Sequence, residues 1–99
     1  MGGKGQTQAL ARLQAVVHGR VQGVSFRYYT QRRAHELGLT GYVRNAWDGT
    51  VQVVAEGPRP ALEGLLSFLR IGPRAAVVTQ VDTSWPPATG SFHRFEVRY

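Results

Sequence analysis

The chain has no cysteine, which excludes disulfides and thiolate metal sites and suits a reducing compartment. It has no apolar run of signal-peptide length near Met1 and none approaching the length needed to span a bilayer. Met1-Gly2 raises N-myristoylation, but Gln6 stands where that motif needs Ser or Thr. A cytoplasmic protein is expected. Ligand spacings are missing as well: there is no His-x-His or His-x-x-x-His, and His18, His35 and His93 lie far apart in sequence. Each histidine reads as a surface or partly packed residue. No close pair of carboxylates and no serine in a nucleophile elbow is present either. No metal and no cofactor is expected. Acidic residues are scarce, with 6 Asp and Glu against 12 Lys and Arg and a net charge of +6. Such a balance favours anionic partners, either small phosphorylated molecules or nucleic acid. The positive charge is nearly all arginine and forms no basic block, so most of these arginines read as solvated surface.

What is present suffices for one domain. The 99 residues, 42% of them hydrophobic, can bury a single core but not two. Residues 1–8 are glycine-rich and polar and read as a disordered tail, leaving 9–99 as the domain. A strand is expected over 9–18, with Leu13, Ala15 and Val17 on one face. A helix over 26–37 follows, with Ser25 as its cap and Gly38 as its end. Strands over 39–46 and 50–56 flank Asp48-Gly49, a hairpin signal. Gly57-Pro58-Arg59-Pro60 opens a second helix with an apolar stripe at Leu62, Leu65, Leu66 and Leu69, and Gly72-Pro73 stops it. Residues 77–85 alternate as a fourth strand, and 92–99 make a last short one.

The order β-α-β-β-α-β plus a strand is that of the α+β ferredoxin-like split β-α-β sandwich, an antiparallel sheet with both helices on one face. In this topology the first and second strands run parallel with the third between them. Asn45, ending the second strand, then shares a sheet edge with the loop after the first, about 10 Å away across two strand spacings. Asn45 also points to the same face as Val43.

That loop is Val17-His18-Gly19-Arg20-Val21-Gln22-Gly23-Val24-Ser25-Phe26-Arg27. A glycine-bearing turn from strand to helix lets consecutive backbone N–H groups converge on one spot, where the helix dipole adds to the field. Arg27 falls in the first turn of the helix, and its guanidinium can give a phosphate two parallel hydrogen bonds. Spacing alone leaves Gly19 and Gly23 open between an anion loop and merely tight backbone. It likewise leaves Asn45 open between a site residue and an asparagine that ends a strand. The loop matches neither a dinucleotide fingerprint nor a Walker loop.

Gly19-Arg20-Val21-Gln22-Gly23-Val24 with Phe26-Arg27, followed by Gly41-Tyr42-Val43-Arg44-Asn45, resembles the acylphosphatase family, over nearly all of the chain after its first few residues. The resemblance implies the ferredoxin-like fold and metal-free hydrolysis of small acyl phosphates such as acetyl or carbamoyl phosphate. It assigns phosphate binding to Arg27 and to the backbone of Arg20, Val21, Gln22, Gly23, Val24 and Ser25, and water positioning to Asn45. Ala46 departs from the family, where a hydroxyl residue is common. Such chemistry suits a chain with no metal ligands or nucleophile. A carboxylate leaving group, whose acid has a pKa of about 4 to 5, needs no general acid. A monomer acting on a small molecule is expected. Two other readings remain: a phosphate-binding module without hydrolase activity, and an RNA-binding module. The third strand lacks the stacking aromatics that RNA recognition by such a sheet requires.

Overall fold

The computed structural model describes residues 9–99; the tail expected over 1–8 lies outside them. The elements are β1 (Ala11–Arg20), α1 (Phe26–Glu36), β2 (Thr40–Asn45), β3 (Val51–Gly57), α2 (Arg59–Ile71), β4 (Val77–Ser84) and β5 (Phe95–Arg98). Alternation makes β1 a half-buried strand: Leu13, Ala15 and Val17 are buried while Gln14 and Val16 between them are half-buried. The four leucines of α2 are all buried, and Pro60 sits in its first turn, where a missing N–H costs nothing.

The sheet order is β4-β1-β3-β2-β5. The first four strands pair antiparallel, and β5 adds parallel to β2, which makes the whole sheet mixed. Both helices lie on one face, α1 over β2 and β5 and α2 over β1 and β4. The core lies between helices and sheet, built on Leu13, Val17, Phe26, Val43, Val53, Leu62, Leu65, Leu69 and Phe95. With β3 between them, β1 and β2 run parallel and end at the same edge, as the topology requires.

Most strand limits differ from expectation by one to three residues, and for the end of the first strand and the start of the last the reason is physical. The first strand continues to Arg20 through a bulge between His18 and Gly19, where its register against β4 shifts. Gly19 has φ +124°, and a Cβ there would overlap the Val77 carbonyl. Only glycine fits that position. The last strand starts at Phe95 rather than at residue 92, because the segment before it serves the far end of β3. There the buried Glu56 carboxylate accepts the N–H groups of Thr89 (2.8 Å) and Gly90 (2.9 Å). The Phe92 ring lies against Tyr42, centroids 6.0 Å apart. Burial pushes the Glu56 carboxyl up, but the Thr89 and Gly90 bonds and the Arg12 guanidinium outweigh it and hold the group below its ordinary 4.5.

Candidate active site

Between β1 and α1 the chain is pinned at both ends, with Val21 and Phe26 buried in the core. The residues between alternate in backbone sign: Gly23 has φ +75° and Ser25 φ +62°, whereas Gln22 and Val24 have negative φ. Alternation of this kind is the backbone pattern of a nest, in which successive N–H groups turn toward one point. Ser25 occupies the expected cap position of α1, but its side chain makes no capping hydrogen bond. The serine contributes through a left-handed backbone that a non-glycine residue adopts at a cost. The first turn of α1 carries no acidic residue, so nothing there offsets the positive end of the helix dipole.

Arg27 follows at once and is held from the other end of the chain. Its Nη1 donates to the Arg98 carbonyl (3.2 Å), and its guanidinium carbon lies 4.6 Å from the Tyr99 ring centroid. Arg98 in turn lies 4.0 Å over the Tyr42 ring. No local pattern signals this support, because residues 98 and 99 reach Arg27 through the pairing of β5 with β2.

Asn45 closes β2 opposite Val51 of β3, and β5 stops one position short of it, pairing last at Arg44 with Arg98. Val43, two residues back, is buried in the core, so Asn45 emerges on the helix face. Residues 46–50 form the hairpin. Ala46 N–H donates to the Thr50 carbonyl (2.9 Å), and Asp48 accepts from both the Thr50 N–H (3.0 Å) and its hydroxyl (2.7 Å). Those bonds, the Thr50 hydroxyl first, lower the Asp48 pKa. Gln22 ties the loop to this hairpin: its Nε2 donates to the carbonyls of Ala46 (2.7 Å) and Thr50 (2.9 Å).

An open depression of about 880 Å³ joins these parts, lined by Val21, Gly23, Ser25, Arg27 and Asn45 among the expected residues. Arg20, Gln22 and Val24 do not line it. Sequence reasoning missed Gln31, His35, Arg94 and Tyr99 on its walls. Gln31 and His35 follow Arg27 at four-residue steps, one stripe of α1, and both Nε2 atoms lie 3.2 Å from the Phe95 carbonyl. That oxygen only accepts, so the proton sits on Nε2 of His35. Of the aromatics near the motifs, Tyr28 lines the depression, and Trp47 is 98% exposed beyond it. Among the described residues no three His, Cys, Asp or Glu side chains cluster as metal ligands, and no helix is long and apolar enough to cross a membrane.

The family model described as acylphosphatase matches residues 13–97. The chain belongs to the acylphosphatase family. It is similar to the acylphosphatase of Nocardia farcinica, 56% identical over 87 residues that cover 88% of this chain and 87% of that protein. It is also similar to the acylphosphatase of Salinibacter ruber, 48% identical over 93 residues covering 94% of this chain and 98% of that one. Among solved structures, the acylphosphatase from Bacillus subtilis superposes with a TM-score of 0.87 at 36% identity, covering 90% of this chain and 99% of that chain. Membership of the acylphosphatase family disfavours a binding module without hydrolase activity.

Proposed function

We propose that this acylphosphatase hydrolyses the carboxyl-phosphate bond of small acyl phosphates as a monomer in the cytoplasm, without metal or nucleic acid, through the loop from Arg20 to Ser25, Arg27 and Asn45. The observation that carries the proposal is the convergence of Gly23, Ser25, Arg27 and Asn45 on one depression. Backbone N–H groups of the loop and the Arg27 guanidinium bind the phosphoryl oxygens and stabilise charge as it spreads over them in the transition state. The Asn45 amide, which has both an acceptor and donors, orients a water in line with the leaving oxygen. The water oxygen bonds to phosphorus as the bond from phosphorus to the acyl oxygen breaks. The carboxylate leaves with the electron pair, and a phosphoryl oxygen takes the proton of the water.

The test is hydrolysis of benzoyl phosphate in the presence of chelator, with Asn45→Ala alongside. Losing one well-placed donor costs about a hundredfold to a thousandfold in turnover, so the variant is expected to retain phosphate binding and lose most turnover. Near-normal turnover by the variant would remove the water-positioning role, and dependence of the parent on added metal would remove the metal-free mechanism.

A further inference from the structure

We propose that the side chain of Gln22 is a positioning residue for the reaction, a strut that holds the hairpin, and with it Asn45, at the working distance from the phosphate loop. The inference rests on the proposed role of Asn45. Its basis is the set of hydrogen bonds at this junction, where the Ala46 carbonyl also accepts the Gly49 N–H at 3.2 Å. The two hydrogens of the Gln22 amide go to the carbonyls of Ala46 and Thr50, at 2.7 and 2.9 Å. The Thr50 carbonyl also accepts the Ala46 N–H at 2.9 Å, so both of its lone pairs are used. Gln22 therefore grips the two ends of the hairpin at the points where it leaves β2 and joins β3.

The bonds within the hairpin fix its shape but not its distance from the loop. Val21 and Phe26 anchor the loop in the core on either side; Ala46 and Thr50 are likewise buried at the ends of the hairpin, but Trp47, Asp48 and Gly49 at its tip are exposed. Asn45 has a paired neighbour on β3 but none on β5. Ala46 supplies no hydroxyl that could hold the hairpin in another way. Loss of the strut is thus expected to displace Asn45 while leaving the phosphate nest in place, and a displacement of about 1 Å can cost on the order of a hundredfold in rate.

The experiment compares the parent, Gln22→Met and Gln22→Lys in benzoyl phosphate hydrolysis, with inorganic phosphate as a competitive inhibitor. Methionine keeps the length and volume of glutamine and removes both donors; lysine keeps donors at similar reach. The expected result for Gln22→Met is a kcat lower by about tenfold to a hundredfold, with the phosphate inhibition constant little changed. The kcat of Gln22→Lys is expected to recover most of that loss. If Gln22 merely packs, methionine is the tolerated substitution and lysine the harmful one; that result overturns the strut. An unchanged kcat in Gln22→Met, or phosphate inhibition weakened in step with kcat, overturns it as well. Should Gln22→Met melt at the assay temperature, the kcat of Gln22→Lys alone decides: full loss is evidence against the strut and near-parent turnover is evidence for it. A parent without turnover would instead defeat the hydrolase reading.

Discussion

The two ends of β3 are each joined to a distant segment of the chain by one polar side chain, with opposite chemistry. At the site end, Gln22 donates two hydrogens to the carbonyls of Ala46 and Thr50. At the far end, about 20 Å away along the strand, the Glu56 carboxylate accepts the N–H groups of Thr89 and Gly90. Both devices clamp an irregular segment to a strand end. The charged one gives stronger bonds, since hydrogen bonds to an ionised group are worth about 1.5–3 kcal/mol against about 1 kcal/mol for neutral pairs. Within the hairpin the Asp48 carboxylate holds Thr50, but the joint from the loop to the hairpin uses the weaker, neutral device, and its position supplies the reason. A carboxylate on the loop itself would repel the phosphoryl group that the loop and Arg27 are proposed to bind, whereas a neutral amide fastens the hairpin without adding negative charge there.

The comparison breaks most severely if the site end is given the chemistry of the far end. Gln22→Glu keeps the shape, removes both donors, sets an anion against two carbonyls and opposes the substrate. The expected loss in kcat/KM is at least about a hundredfold, or about 2.7 kcal/mol in barrier. Unlike Gln22→Met, this variant is expected to weaken phosphate inhibition too. Steady-state kinetics of the two variants side by side separate the lost strut from the added charge; identical inhibition constants would remove the electrostatic argument.

The reverse change at the far end is smaller and touches stability alone. Glu56→Gln turns one accepting oxygen into a donor that faces backbone N–H groups, with an expected cost of about 2 kcal/mol and a kcat equal to that of the parent. Acid sharpens the contrast. Because the Glu56 pKa is lowered on folding from 4.5, its contribution is complete above that value. It is lost as pH falls through the lower folded-state pKa, where the unfolded chain already binds the proton. Thermal melts from pH 7 down to pH 3 are expected to show a steeper decline for the parent than for Glu56→Gln. Parallel declines would show that other carboxylates carry the acid sensitivity.

The sequence made one of these two ends partly legible and the other not at all. Periodicity and punctuation located every element, because alternation in β1 and the leucine stripe of α2 report burial of a local face. That Arg27, Asn45 and part of the loop, Val21, Gly23 and Ser25, share one depression was legible through motif and topology, since strand order brings two distant segments to one edge. Long-range polar joints leave no such trace. Gln22 meets Ala46 and Thr50 across 24 and 28 residues, and Glu56 meets Thr89 across 33. Neither residue type advertises a partner. The limits of β5 were missed for the same reason, as were the walls formed by Gln31, His35 and Arg94.

A third polar group, on α1, has no such partner, so it measures what the two joints prevent. Thr30, on the buried stripe of α1 with Phe26 and Ala34, is fully buried, and its hydroxyl has no hydrogen-bond partner among the described residues. Valine has nearly the same shape and the same β-branched restriction in a helix, so Thr30→Val removes the hydroxyl and little else. An unpaired buried hydroxyl costs about 1–3 kcal/mol. The substitution is expected to raise stability by about 1 kcal/mol, toward the low end of that range, and to leave kcat and phosphate inhibition unchanged because Thr30 does not line the depression. Chemical denaturation read as a midpoint shift at constant slope checks it. A lower midpoint would mean that the hydroxyl is satisfied after all, and Thr30 would then join Gln22 and Glu56 as a polar joint rather than stand as their contrast.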